Sequence, residues 1–260
     1  MAKHHYISFG KGEKILLCFH GYEQNSSMFS ILNEDWQKRY TIYAFDLFHH
    51  GKSEFQHNRI PNYPLTKSEL KAYFEIFFTE KNITNFEIIG YSLGSRIGLY
   101  LAYVFPQKVK GIYLFAPDGF KKMPLQNFIE HNFFGIYLFK TFVRKPKPFH
   151  LLIKSLRKIK IIKQRLHDFV LRKTTLKQQR IQLYRSWQTY KCMHLSSKKI
   201  SNLLQNIPKI VLLFGKYDAV IPLANLNKHK IDKESIICLN KGHDLFDKEA
   251  LQILQKRLDF

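Results

Sequence analysis

Phe86-Glu87-Ile88-Ile89 runs apolar into Gly90-Tyr91-Ser92-Leu93-Gly94, and Arg96-Ile97-Gly98-Leu99-Tyr100-Leu101-Ala102 follows with helical character. The pattern is G-x-S-x-G at a strand-to-helix junction, the context in which this motif has meaning. So tight a turn leaves no room for Cβ atoms beside the serine, and glycine is wanted two residues before it and two after. The turn lifts the Ser92 hydroxyl clear of the sheet edge. It also sets the next amide, that of Leu93, at a helix N-terminus.

Outward from this junction, short β-rich runs alternate with amphipathic ones, which predicts a parallel sheet covered by helices. Strands are expected at residues 14–19, 41–45, 111–115, 209–214 and 235–239, with one more ending at Gly90. Helices are expected at 65–78 and 248–258. Between Asp118 and Asn206 the β pattern disappears, and apolar-plus-basic stretches at 151–170 and 175–190 repeat at helical intervals, broken by Pro146 and Pro148. The expectation is an α/β fold, a mostly parallel doubly wound sheet with a helical lid inserted between two strands. Residues 1–117 and 207–260 form its core and 118–206 the insertion.

At 260 residues the chain can bury one substantial core. No apolar run approaches the roughly 20 residues of a membrane-spanning helix, and Met1-Ala2-Lys3-His4-His5-Tyr6 lacks the apolar region of a secretory signal. Cys18, Cys192 and Cys238 are odd in number and widely spaced, so they read as free thiols of a cytoplasmic protein, two of them buried in strands. The net charge of +22 is concentrated: from Lys121 to Lys199 there are 20 Lys and Arg against Glu130 and Asp168 alone. An abrupt shift of this kind marks a surface with a different task.

A serine hydroxyl is a poor nucleophile near neutral pH and needs an adjacent imidazole oriented by a carboxylate. Downstream, Asp218 follows the run ending at Phe214, and His243 follows the run ending at Leu239. Both fall at the carboxyl edge of a parallel sheet, where open α/β folds bind ligands. The developing oxyanion needs two amides. Leu93 supplies one and Tyr22, after Phe19-His20-Gly21, the other, with Gly21 letting the backbone approach substrate.

In order and context the chain resembles the lid-bearing serine family of α/β-hydrolases. The matching pieces are His20-Gly21, Asp46-Leu47-Phe48-His49-His50-Gly51-Lys52-Ser53, Gly90-Tyr91-Ser92-Leu93-Gly94, Gly215-x-x-Asp218 with Pro222, and Gly242-His243. The resemblance implies Ser92 as nucleophile, Asp218 as acid, His243 as base, and Tyr22 and Leu93 as oxyanion donors. His20, Gly21, Tyr91 and Arg96 are expected to line the substrate. Phe48-His49 stands where the family commonly has Pro-Gly. The activity implied is cleavage of a small ester or thioester, with neither metal nor organic cofactor.

Competing readings accompany these expectations. Asp118 also ends a strand, and some lipase-like relatives carry the acid there; otherwise it begins the turn into the insertion. Gly94-Ser95-Arg96 resembles the elbow of a lyase of this fold, in which Arg96 would bind a substrate carboxylate; Arg96 also reads as a solvent-side or lid-facing helix residue. A lyase or carbon–carbon hydrolase acting on an anionic substrate is therefore the alternative. Asp46 is expected to hold the 48–53 loop by hydrogen bonds, and His49-His50 to be loop surface. Gly51-Lys52-Ser53 lacks the preceding glycine of a phosphate loop, since Asp46 occupies that position. No histidine spacing calls for a metal. The basic insertion reads as a solvated face, as an attractor of anionic substrate, or as a support on anionic membrane with Phe133, Phe134, Ile136, Tyr137, Leu138 and Phe139 in the interface. The last would make a non-catalytic lipid- or partner-binding protein. No nucleic-acid-binding motif is present, and oligomeric state is not legible.

Overall fold

Every run read as a strand lies in one sheet of a computed structural model that describes residues 4–122, 124–162 and 164–260. Met1–Lys3, the start of the stretch read as lacking a secretory signal, lie outside the described residues. The strands are β1 (Tyr6–Phe9), β2 (Lys14–Phe19), β3 (Tyr40–Phe45), β4 (Phe86–Tyr91), β5 (Val109–Phe115), β6 (Ile210–Gly215) and β7 (Ile236–Leu239). Their spatial order is β1-β3-β2-β4-β5-β6-β7. Only β1 runs antiparallel to its neighbour. The helices are α1 (Glu34–Arg39), α2 (Lys67–Glu80), α3 (Leu93–Val104), α4 (Pro124–His131), α5 (Phe133–Arg144), α6 (Lys147–Lys158), α7 (Gln164–Thr174), α8 (Lys177–Tyr190), α9 (Ser197–Leu204) and α10 (Lys248–Arg257).

The chain forms two compact units, one of residues up to 55, 66–121 and 193–260, the other of 56–65 and 122–192. The first holds the whole sheet. Alternation along the strands sends Leu16, Cys18, Ile89, Tyr113, Phe115 and Leu213 to one face, against Trp36 of α1 and Leu251 and Leu254 of α10. The intervening residues meet α2 and α3: Phe74 packs on Phe19 and Phe45, and Gly98 lies beside Ile88. Helices on both faces make the sheet doubly wound. The Thr66 hydroxyl caps α2 by accepting from the Glu69 amide, 3.1 Å away. Sequence reading misses β1 and α1, which are four and six residues long and too short to express a period. Cys18 is buried in β2, whereas Cys238, on edge strand β7, is exposed, contrary to the expectation of two buried strand thiols.

Five helices, α4–α8, lie in the chain between β5 and β6 and form the second unit with residues 56–65. The stretch read as 118–206 thus divides: α9 packs on α3 in the sheet unit. Phe139 centres the helical unit, against Phe142, Tyr184 and Trp187. Buried Arg180 donates to the carbonyls of Val143, Thr174 and Thr175 at the ends of α5 and α7. Half-buried Lys191 donates to the carbonyls of Pro61 and Glu130 and to Gln188 Oε1. Burial pulls its ammonium below the ordinary lysine range. The stretch 151–170 is interrupted where Lys160 takes φ 60°. Pro146 and Pro148 begin α6, where a missing amide hydrogen costs nothing.

A buried carboxylate with two phenol partners lies among the apolar side chains of the sheet unit. The Glu87 carboxylate in β4 accepts hydrogen bonds from the hydroxyls of Tyr40 (2.6 Å) and Tyr113 (2.7 Å), all three buried. Burial, then the Glu87 charge, pushes both phenols well above their usual range. Removing the acceptor strands two hydroxyls away from water. Glu87→Ala is expected to lower unfolding free energy by about 3 kcal/mol, and Glu87→Gln by less, as read from urea denaturation.

Candidate active site

At Ser92 the backbone takes φ 48° and ψ −117°, in the left-handed region that costs a non-glycine residue about 1–3 kcal/mol. Its surroundings fix that conformation. The Ser92 amide donates to the Phe115 carbonyl of β5 (2.9 Å), and its own carbonyl accepts from the Ser95 amide (2.9 Å) and the Asp118 amide (3.3 Å). A Cβ on Gly90 would stand 2.7 Å from Ser95 Cα, and one on Gly94 would fall inside the Phe19 carbonyl. Leu93 is the first residue of α3, so its amide is one of the helix's N-terminal donors without an intrahelical acceptor.

Two further loops at the same carboxyl edge reach this hydroxyl. His243 Nε2 lies 3.1 Å from Ser92 Oγ, and His243 Nδ1 lies 2.8 Å from Asp218 Oδ2. With the Nδ1 hydrogen donated to the carboxylate, Nε2 is left to accept from the serine. Asp218 Oδ1 accepts from the amides of Val220 (2.7 Å) and Ile221 (2.9 Å), which orient a buried carboxylate. The loops after β6 and β7 are tied to each other. Lys216 N–H donates to the Leu239 carbonyl, and Tyr217 N–H to that of Lys241. Gly215 lets them approach, since a Cβ there would strike the Gly242 carbonyl. Hydroxyl, imidazole and carboxylate in this order can draw a proton from Ser92 while steadying the imidazolium that forms.

The residues expected to line the substrate also make contacts within the protein. Tyr91 is buried, its ring against Gly21, and its hydroxyl donates to the His243 carbonyl at 3.0 Å, so it positions the histidine loop. His20 is fully buried: Nδ1 donates to the Gly21 carbonyl (2.7 Å), while Nε2 accepts from the Leu47 amide (2.9 Å). Tyr22 is half-buried in the following turn, its ring edge-on to His50 at 6.0 Å. Burial, reinforced by His50, pushes the His20 imidazole down to about 3. His50, read as loop surface, is itself buried, and desolvation lowers its imidazole below the ordinary histidine range. Asp46 accepts from the amides of Ser26 (2.6 Å) and Lys52 (2.8 Å) and so pins the loop it precedes. Arg96 does not face solvent: it is buried and paired through Nη2 with Asp118 Oδ2. That pairing engages Asp118, and the carboxylate at His243 is Asp218.

A family model described as alpha/beta hydrolase fold matches residues 14–250. The chain belongs to the α/β-hydrolase family. Among its relatives is an uncharacterised protein of Mycobacterium bovis, 30% identical over 116 residues, which are 44% of this α/β-hydrolase and 31% of that protein. The chain thus spans about a third of the length of the curated relatives it matches. A carboxylesterase structure from Nitrososphaera superposes with a TM-score of 0.65 at 16% identity, covering 99% of this chain and 94% of that one. An esterase from Exiguobacterium antarcticum gives 0.60 at 15% identity, with coverage of 99% and 95%. At such identities the likeness is one of fold.

Two outcomes are expected from these environments. Unfolding releases His20 to titrate near 6.5, whereas the folded group stays neutral to about 3. Between these values the unfolded state binds more protons, so stability is complete above about 6.5 and falls as pH drops through the window. Melting curves from pH 7 to 4 should show this fall, with about one proton taken up per molecule on His20 alone near pH 5 and a shallower slope in His20→Gln. Separately, Asp118→Ala leaves the Arg96 guanidinium buried without its carboxylate and should cost about 2 kcal/mol in urea denaturation.

Proposed function

We propose that this α/β-hydrolase is a serine hydrolase cleaving a carboxylic ester or thioester through an acyl-enzyme on Ser92. The observation that carries the reading is the continuous hydrogen-bonded chain from Ser92 Oγ through His243 to Asp218. In the proposed reaction His243 Nε2 takes the Ser92 proton as Oγ bonds the acyl carbon. The amides of Leu93 and Tyr22 receive the oxyanion. The same proton then passes to the departing alcohol or thiol. Water, activated in turn by His243, attacks the acyl carbon and restores Ser92.

The alternative, a lyase or carbon–carbon hydrolase gripping an anionic substrate, has less support, since its expected anchor Arg96 is buried and paired with Asp118. The three cysteines, each a free thiol, fit a reducing cytoplasmic setting. Among the described residues no helix is long and apolar enough to cross a membrane.

A fluorophosphonate probe followed by peptide mass spectrometry should place the adduct on Ser92 and lose it in His243→Ala. Ser92→Ala should reduce hydrolysis of short acyl esters by about 10⁴-fold or more with its melting point retained. Asp218→Asn should cost about 10³- to 10⁴-fold in kcat, whereas Asp118→Asn should act chiefly on stability. Retained turnover in folded Ser92→Ala would sink the mechanism.

A further inference from the structure

The helical unit presents a surface that this chemistry leaves unused. Of the sixteen large apolar side chains exposed among the described residues, twelve lie in this unit. Six belong to the α4–α5 hairpin: Leu125, Phe128, Phe133, Phe134, Tyr137 and Leu138, exposed by 38–80%. Helical spacing gathers them, with Phe133 one turn from Tyr137 and Phe134 one turn from Leu138. Gly135 and Phe139 point the other way and are buried, Gly135 where the hairpin closes on the Phe128 backbone and Phe139 in the unit's aromatic core. Ile136 is half-buried. The outward face is therefore the narrower set 133, 134, 137 and 138, and the inward face is already satisfied.

Charge surrounds this ridge with one sign. Residues 56–65 and 122–192 carry 18 Lys and Arg against Glu130 and Asp168. Glu130 is buried, and Asp168 is bonded to Gln164 and His167. Exposed Lys121 and Lys122 precede α4, while exposed Lys140, Arg144 and Lys145 lie along and just beyond α5. Acidic side chains are absent from 131–167. An exposed apolar patch rimmed by polar groups marks an interaction surface. Here the rim is cationic, so the complementary partner is apolar within and anionic at its border.

We propose that the α4–α5 hairpin docks on an anionic lipid bilayer, its phenylalanines, tyrosine and leucines entering the interface and its lysines and arginine meeting the headgroups. A bilayer supplies both an apolar layer and an anionic boundary to a protruding ridge. Nucleic acid would answer the cations and leave the leucines uncovered. The docking is independent of the proposed hydrolysis, so Ser92→Ala should bind membranes as the parent does.

The test is co-sedimentation of the full chain with phosphatidylcholine vesicles, alone or with about 30% phosphatidylserine, at low and high salt. Binding is expected on the anionic vesicles, weakened by salt, and reduced about tenfold or more in Phe133→Ser/Phe134→Ser, whose circular dichroism should match the parent because both side chains are exposed. In Phe134→Trp, added emission should shift to the blue on binding and be quenched by brominated lipid. Equal binding to neutral vesicles, full binding by the double variant, or an unquenched tryptophan in vesicle-bound Phe134→Trp would overturn the proposal. So would absence of vesicle binding, a dimer in light scattering that the double variant breaks, or preferential binding to RNA.

Discussion

The first turn of α3 lies so close to β2 that Gly94 rests against the Phe19 carbonyl, and one methyl group at that position would part them. The contact dictates the rest of the site. It forces the chain to leave β4 through a left-handed residue, and the residue so placed is Ser92. Hydrogen bonds from the Ser92 amide to β5 and from the Asp118 amide to the Ser92 carbonyl hold the turn on its other side. A side chain in that conformation projects from the sheet edge instead of packing into either layer. Strain of this kind persists only where surrounding structure over-determines it, and here two strands and a helix do so.

The features legible in the sequence were those with a short period or a short motif. Strands β2 to β7 appeared as apolar runs, and the elbow, Asp218 and His243 appeared because each ends such a run with a residue of distinct chemistry. What stayed illegible depends on contacts far apart in the chain. Glu87 sits inside a run that reads as apolar, and only Tyr40 and Tyr113, 47 and 26 residues away, explain it. His50 looks like half of an exposed pair until His20 and Tyr22 are brought against it. Arg96 stands on a helix whose polar residues would ordinarily face solvent, yet Asp118, 22 residues on, draws it inward. Residues 56–65 carry no sign that they belong with helices some 60 to 130 positions later.

The two units solve the problem of charge differently. In the sheet unit, carboxylates are placed where they organise loops: Asp46 on the amides before and after it, Asp218 on those of Val220 and Ile221. The helical unit has almost no acids to spend on its cations. Its inward basic groups turn instead to main-chain carbonyls, with Arg180 capping two helix ends and Lys191 joining separate segments. Carbonyls at a helix C-terminus carry partial negative charge, so they hold a cation without an anion. The arrangement keeps the unit's net positive field undiminished.

Ser92 and His243 are 151 positions apart and meet across a sheet in which β7 is the outermost strand on its side. During synthesis the serine, its strained turn and the whole helical unit emerge before the imidazole exists. A nascent or frayed chain in which β7 has not docked therefore carries Ser92 in its elbow without the His243 hydrogen bond. The Ser92–His243 hydrogen bond thus depends on the far margin of the sheet, although the turn that presents the serine is built from its centre.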